Sequence, residues 1–235
     1  RQRQMCIRDR NYTPNIDRIA NEGMRFDHCY VTNSICTPSR ASIITGTYNH
    51  VNAVTTLETP INNRIPNVAK HLKTGGYQTA IIGKWHLGEG KNHEPSGFDF
   101  WSVLPGQGEY FDPVFIEMGK EIEEKGYVTD IITDKTLKWL KGTNNQKPFF
   151  LMCHHKAPHR EWEPHPKNRS LFKDDIVIPS TFDDDYKNRA RAAAEAKMRI
   201  KDDLTYDDLG LSLIHISEPT RPERISYWGF GVEKK

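Results

Sequence analysis

Apolar positions recur at helical spacing in several stretches of the chain. Behind Thr13 and Pro14, residues Ile16, Ile19 and Ala20 share one face and Gly23 closes the pattern, which predicts a helix with Pro in its first turn. Met24 to Val31 reads as a short extended run. Twice afterwards a helical pattern is followed by a brief run rich in Ile, Phe and Leu. Helix Pro66 to Thr74 precedes strand Gln78 to Ile82, and helix Val128 to Lys141 precedes strand Pro148 to Cys153. A long polar stretch then leads to a further helix, Tyr186 to Asp203. Helix followed by strand, repeated, predicts an α/β fold with a mostly parallel sheet flanked by helices, whose ligands gather at the carboxyl ends of the strands. Residues 87–125 and 154–184 show no such period and read as long irregular connections, the kind that carries binding residues. No internal repeat and no linker divides the segment between the two ends.

The ends themselves do not join this pattern. One DNA string encodes Met5 to Asp9 and the start of Arg10, and its reverse complement encodes Leu211 to Ile216 and the start of Ser217. A single element therefore explains both, and it resembles a transposon adaptor used in sequencing libraries. Residues 1–10 and 211–235 are accordingly expected to be adaptor-derived rather than native, leaving 11–210 as the genuine segment. The ends carry +3 and +1 of the total +2, so the interior is left at −2. That removes the ground for a nucleic-acid partner or an anionic membrane surface. Mean hydropathy is −0.72, and no apolar run approaches the ~20 residues of a membrane span. No signal-peptide order is visible in this segment. With Cys6 set aside, Cys29, Cys36 and Cys153 make no disulfide framework.

Three constellations could carry chemistry. Cys36 stands two residues ahead of Pro38, which can open a helix, so its side chain is expected at a positive helix end with Arg40 one turn on. That environment favours an anion. A tyrosine-phosphatase loop would place its Arg six positions after the Cys, not four. In Gly83-Lys84-Trp85-His86, at the end of an apolar run, strand alternation would present Lys84 and His86 on the same side. His154, His155 and His159 follow the strand ending near Cys153. Their spacing is not that of a helical zinc site, and acidic partners are missing.

The string Cys36-Thr37-Pro38-Ser39-Arg40, with Thr45-Gly46 beyond it, resembles the C-x-P-S-R-x-x-x-x-T-G signature of type I sulfatases. The run Gly76 to Gly88 resembles that family's second signature. The resemblance covers nearly all of 11–210 and implies an alkaline-phosphatase-like sulfatase fold, truncated at both ends, with 11–210 forming part of the N-terminal catalytic domain. It implies that Cys36 is oxidised to formylglycine by a formylglycine-generating enzyme during export, and hence a periplasmic or secreted parent. The hydrate of formylglycine offers two hydroxyls on one carbon, one to attack sulfur and one to expel sulfate, which a plain thiol cannot match. By the same resemblance Arg40 and Lys84 neutralise sulfate, Arg40 and His86 hold the hydrate, and His159 protonates the leaving alcohol, with His155 as the rival.

The family also holds a divalent cation, usually calcium, on formylglycine and on acidic residues from segments upstream and downstream of 11–210. Those ligands are expected to be missing here, and Asp183 to Asp185 and Asp202-Asp203 read as solvated faces rather than replacements. The segment alone is therefore expected to be inactive. Residues 106–113 and 155–162 look like those of bacterial sulfatases acting on sulfated carbohydrate such as N-acetylglucosamine 6-sulfate. Tyr110, Trp162 and His155 are the candidate substrate contacts, the two aromatic rings as sugar platforms. Two alternatives stand beside this reading: a phosphonate or phosphate monoester hydrolase of the same fold, and a non-catalytic truncated product.

Overall fold

The structure is a computed structural model that describes residues 13–168, 171 and 184–195. The expected adaptor-derived ends lie outside the described residues, as do residues 196–203 of the helix expected from Tyr186. The chain divides into two compact units, Tyr30–Trp162 and a second formed by Arg1–Cys29 with Glu163–Lys235. In the second unit the described elements are helix α1 (Pro14–Glu22), a 3-10 turn (Pro166–Asn168) and helix α6 (Arg191–Glu195). Helix α1 begins on Pro14 and ends at Gly23, as its pattern predicts, although Ile16 and Ile19 are exposed. Met24 to Val31 forms no strand, which corrects the extended run expected there.

The unit Tyr30–Trp162 holds a five-stranded sheet. Its elements in chain order are α2 (Cys36–Thr45), α3 (Asn49–Asn52), α4 (Val68–Thr74), β1 (Gln78–Lys84), β2 (Phe100–Leu104), β3 (Val114–Glu117), β4 (Lys120–Glu123), α5 (Val128–Lys141) and β5 (Phe149–His154). The strands lie in the order β4-β3-β2-β1-β5. Strand β1 runs parallel to both β2 and β5, whereas β2-β3 and β3-β4 are antiparallel. The sheet is thus mixed, not mostly parallel, and residues 87–125 hold three strands where irregular chain is expected. Strands β3 and β4 are four residues each, turning over Met118 and Gly119, too short for alternation to stand out.

Strand alternation sorts the core into two faces. Ile81, Trp101 and Val103 pack with Ala41 and Ile44 of α2 and Ala69 of α4. Ile82, Leu104 and Phe115 pack with Val128 and Ile132 of α5. Strand β1 is buried on both faces, with Ile81 and Ile82 both fully covered. Each such side chain contributes about 1.5–3 kcal/mol relative to an exposed one. This central strand and its neighbour β5 end together, Gly83 opposite His154, and so deliver two segments distant in sequence to one place.

Candidate active site

Helix α2 begins on Cys36, with Ile35 as a cap that supplies no side-chain hydrogen bond. The first-turn N–H groups are therefore left without a side-chain acceptor at the positive end of a ten-residue helix. One turn on, Arg40 Nη1 donates to Lys84 O at the end of β1 (2.9 Å) and lies 3.1 Å from His154 Nδ1 at the end of β5. Cys36, Arg40 and His154 line one cavity of about 550 Å³, together with Ser39, Trp85 and Met152. Cys36 is a half-buried free thiol.

Lys84 is almost wholly buried, and its Nζ donates to Gln107 Oε1. Burial pushes its ammonium down to about 8; Arg40 and Lys156 add repulsion, and a negative charge on Cys36 opposes them. Arg40 is lowered by burial as well, again opposed by Cys36. Two cations are therefore held out of water beside the one sulfur, which is an environment that an incoming anion relieves.

His86 does not continue the alternation expected of it. The strand stops at Lys84, and His86 takes a left-handed backbone conformation, φ +55°. The turn nonetheless keeps it beside the cations, and burial followed by Lys84, Arg40 and His159 pushes its imidazole down to about 4. Thr37 Oγ1 donates to Leu57 O (3.0 Å) and lies 3.4 Å from His86 Nδ1. A hydroxyl has one hydrogen, already committed to Leu57, so in that contact His86 Nδ1 carries the proton and donates. Nε2 is left bare, an acceptor at neutral pH.

His159 shares this electrostatic neighbourhood. Burial lowers its imidazole, as do Lys84, Lys156 and Arg160, while the bond from Nδ1 to Arg160 O opposes them. His155 lies elsewhere. Its Nε2 is 3.8 Å from Cys153 Sγ, which also accepts from Thr136 Oγ1 of α5 (3.4 Å), so Cys153 and His155 occupy the α5 face and His154 the α2 face. Tyr110 is 3% exposed and offers no open ring. Its hydroxyl donates to His159 O (2.6 Å), and Lys156 Nζ sits 4.6 Å over its ring. The structure thus corrects the sugar platform expected at Tyr110: burial puts it under the His159 loop. Trp162 is half-buried, its indole donating to Pro158 O (2.7 Å).

The structure brings Cys36, Arg40, Lys84 and His86 together, with His159 in electrostatic range of Lys84 and His86, and leaves His155 and Tyr110 out of that group. It adds His154, Lys156, Gln107 and Thr37, to which the sequence reading assigns no role. Lys156, 7% exposed, is 3.4 Å from Gln107 O and adds to the positive potential. Among the described residues no group of three or more His, Cys, Asp or Glu side chains is placed to hold a metal ion. The described donors thus do not fit calcium, which takes six to eight oxygens.

A cysteine at a helix end beside buried cations at the carboxyl ends of parallel strands makes a pocket suited to an anion. The sulfatase family profile matches residues 6–205, and the chain belongs to that family. It is 50% identical over 199 residues to an N-acetylglucosamine-6-O-sulfatase of Bacteroides thetaiotaomicron, covering 83% of this chain and 35% of that protein. It is 32% identical over 179 residues to the N-acetylglucosamine-6-sulfatase of Homo sapiens, covering 66% of this chain and 32% of that protein. A solved structure in complex with its substrate D-glucosamine-2-N,6-O-disulfate superposes with a TM-score of 0.79 at 45% identity, covering 92% of this chain and 44% of that one. A phosphonate monoester hydrolase of Agrobacterium radiobacter, at 20% identity and a TM-score of 0.50, shares the fold alone. The chain spans about a third of the length of the curated relatives it matches.

Proposed function

We propose that this chain carries the nucleophile and the sulfate pocket of a sulfuric ester hydrolase acting on sulfated carbohydrate, with N-acetylglucosamine 6-sulfate as the substrate class. The observation that carries the reading is the convergence of Arg40, Lys84, His86 and His159 on the Cys36 end of α2. Two relatives named as N-acetylglucosamine 6-sulfatases and the glucosamine disulfate complex support the choice of sugar.

Cys36 converted to formylglycine supplies, when hydrated, a hydroxyl nucleophile for sulfur; the unsatisfied helix end and the cations around it suit that polar group. Arg40 and Lys84 bind the sulfate oxygens in a water-poor pocket where their charge acts strongly. His86, with Nδ1 tied to Thr37, presents bare Nε2 as the acceptor for the nucleophile's proton. His159 keeps its Nδ1 proton on Arg160 O, so Nε2 is the atom that gives a proton to the departing alcohol. Burial, and after it the neighbouring cations, holds His159 low; the negative charge of bound sulfate offsets the cations and raises it towards the protonated form that a general acid needs.

Export to the periplasm or outside the cell and modification by a formylglycine-generating enzyme belong to the same proposal. Among the described residues no helix is long and apolar enough to cross a membrane.

The test uses the continuous gene product co-expressed with a formylglycine-generating enzyme. Sulfate release from N-acetylglucosamine 6-sulfate is expected to exceed phosphate release from the 6-phosphate. Lys84→Ala and His159→Ala are each expected to lower kcat/KM by at least about a hundredfold. Faster phosphate-ester turnover, or an unimpaired Lys84→Ala enzyme, would overturn the proposal.

A further inference from the structure

His154 ends β5 on the α2 face, and it reaches Arg40 because β1 lets it come close. An added Cβ at Gly83 would lie 1.9 Å from His154 O, and Gly83 has φ +101°. The approach sets up a triangle. His154 Nδ1 is 3.1 Å from Arg40 Nη1 and 3.1 Å from Lys84 O, and Nη1 donates to Lys84 O at 2.9 Å.

Proton inventory narrows the triangle to two arrangements. A guanidinium nitrogen only donates and a carbonyl oxygen only accepts. If Nδ1 carried a hydrogen for Lys84 O, two donor nitrogens would crowd one carbonyl and the second Nη1 hydrogen would face another donor. If Nδ1 is bare, one Nη1 hydrogen goes to Lys84 O and the other to His154, and both are satisfied. Among the described residues no carboxylate pairs with Arg40 within ion-pair distance, so these two acceptors are what holds its Nη1. Burial, and then the charge of Arg40, favour the neutral ring; the Lys84 carbonyl opposes them and His155 adds to them.

We propose that His154 is a positioning residue: a neutral imidazole with its proton on Nε2, whose bare Nδ1 holds the Arg40 guanidinium against the end of β1. The hydrogens of Nη2 and Nε then stay directed for an anion at Cys36. This role rests on the sulfate-pocket reading, whereas the tautomer does not.

Nitrogen-15 NMR of the whole histidine-labelled chain at pH 7 tests the tautomer. The expected signal is a neutral ring protonated on Nε2; a ring protonated on Nδ1, or an imidazolium, overturns the proposal whether or not sulfate binds. Titration with inorganic sulfate at low salt tests the consequence. His154→Leu is expected to weaken binding about tenfold, the loss of one charge-assisted hydrogen bond. His154→Asn, whose Oδ1 can accept in place of Nδ1, should stay within about threefold of the parent chain. The double variant Arg40→Met/His154→Leu should bind no more weakly than Arg40→Met alone. Equal losses in the Asn and Leu variants, both folded by circular dichroism, overturn the positioning role. A parent chain that does not bind sulfate sinks the pocket reading, and the tautomer then decides the His154 assignment by itself.

Discussion

At the scale of single residues, the pocket works by fixing where protons sit. Thr37 is 2% exposed, and its one hydroxyl hydrogen commits His86 to the Nδ1–H form. Thr37→Ser should keep that arrangement, whereas Thr37→Val, nearly isosteric, should cost about 1–2 kcal/mol in urea unfolding and free the imidazole to turn. With a folded value of about 4 against an ordinary 6.5, His86 is expected to show no NMR inflection between pH 5 and 8. The unfolded chain takes up that proton first. The neutral His86 therefore contributes its share of stability in full above about pH 6.5 and loses it as the pH falls towards 4, a slope that His86→Gln should reduce. Cys153 shows the opposite kind of pairing. The hydrogen bond with His155 holds its thiol below the ordinary range, burial opposes that, and Thr136 assists. Limited iodoacetamide at pH 7 is expected to label Cys153 several times faster than exposed Cys29, and His155→Gln should remove most of the difference. Equal labelling of the two would show that the His155 contact does not activate the thiol.

Among the elements, the parallel pair β1-β5 decides whether the site exists. Gly83→Ala combines a positive φ with a Cβ driven into the backbone of His154, so it is expected to lower stability by on the order of 3–4 kcal/mol, read as a shifted urea midpoint. Gly76→Ala, also at positive φ but with open space around it, should cost less. Elements of this kind were legible where the chain repeats its signal often enough. Helix α5 spans Val128–Lys141 as its pattern predicts, since fourteen residues give the period several turns to show. Strands β3 and β4, four residues each, give alternation too few positions, so the segment holding them reads as loop. The Cys36 and Lys84 motifs were visible because their residue types and spacing are unusual. His154 stands among the candidate histidines but is given no role by sequence, because that role depends on which face of β5 it takes. The pattern predicts a strand ending at Cys153, whereas β5 runs to His154 and alternation then sets its face.

At the scale of the whole molecule, the two edges of the sheet differ in character among the described residues. Strand β4 ends the order on one edge with charged Lys120, Glu121 and Glu123, while β5 ends it on the other with Phe149, Phe150, Leu151 and Met152. Among the described residues nothing pairs with the outer edge of β5, and Phe149 is 51% exposed. Such an edge invites association, so the isolated chain should show scattering that rises with concentration, and Phe149→Lys should suppress it. Scattering unchanged in that variant would place the sticky surface elsewhere. The same late strand sets a clock on biosynthesis. Arg40 and His154 are 114 positions apart, and at roughly 5–20 residues per second the ribosome needs on the order of 6–20 s to make that stretch. Until it has done so the contact behind Arg40 cannot close, and the proposed modification of Cys36, which needs an open chain, has that interval in which to proceed.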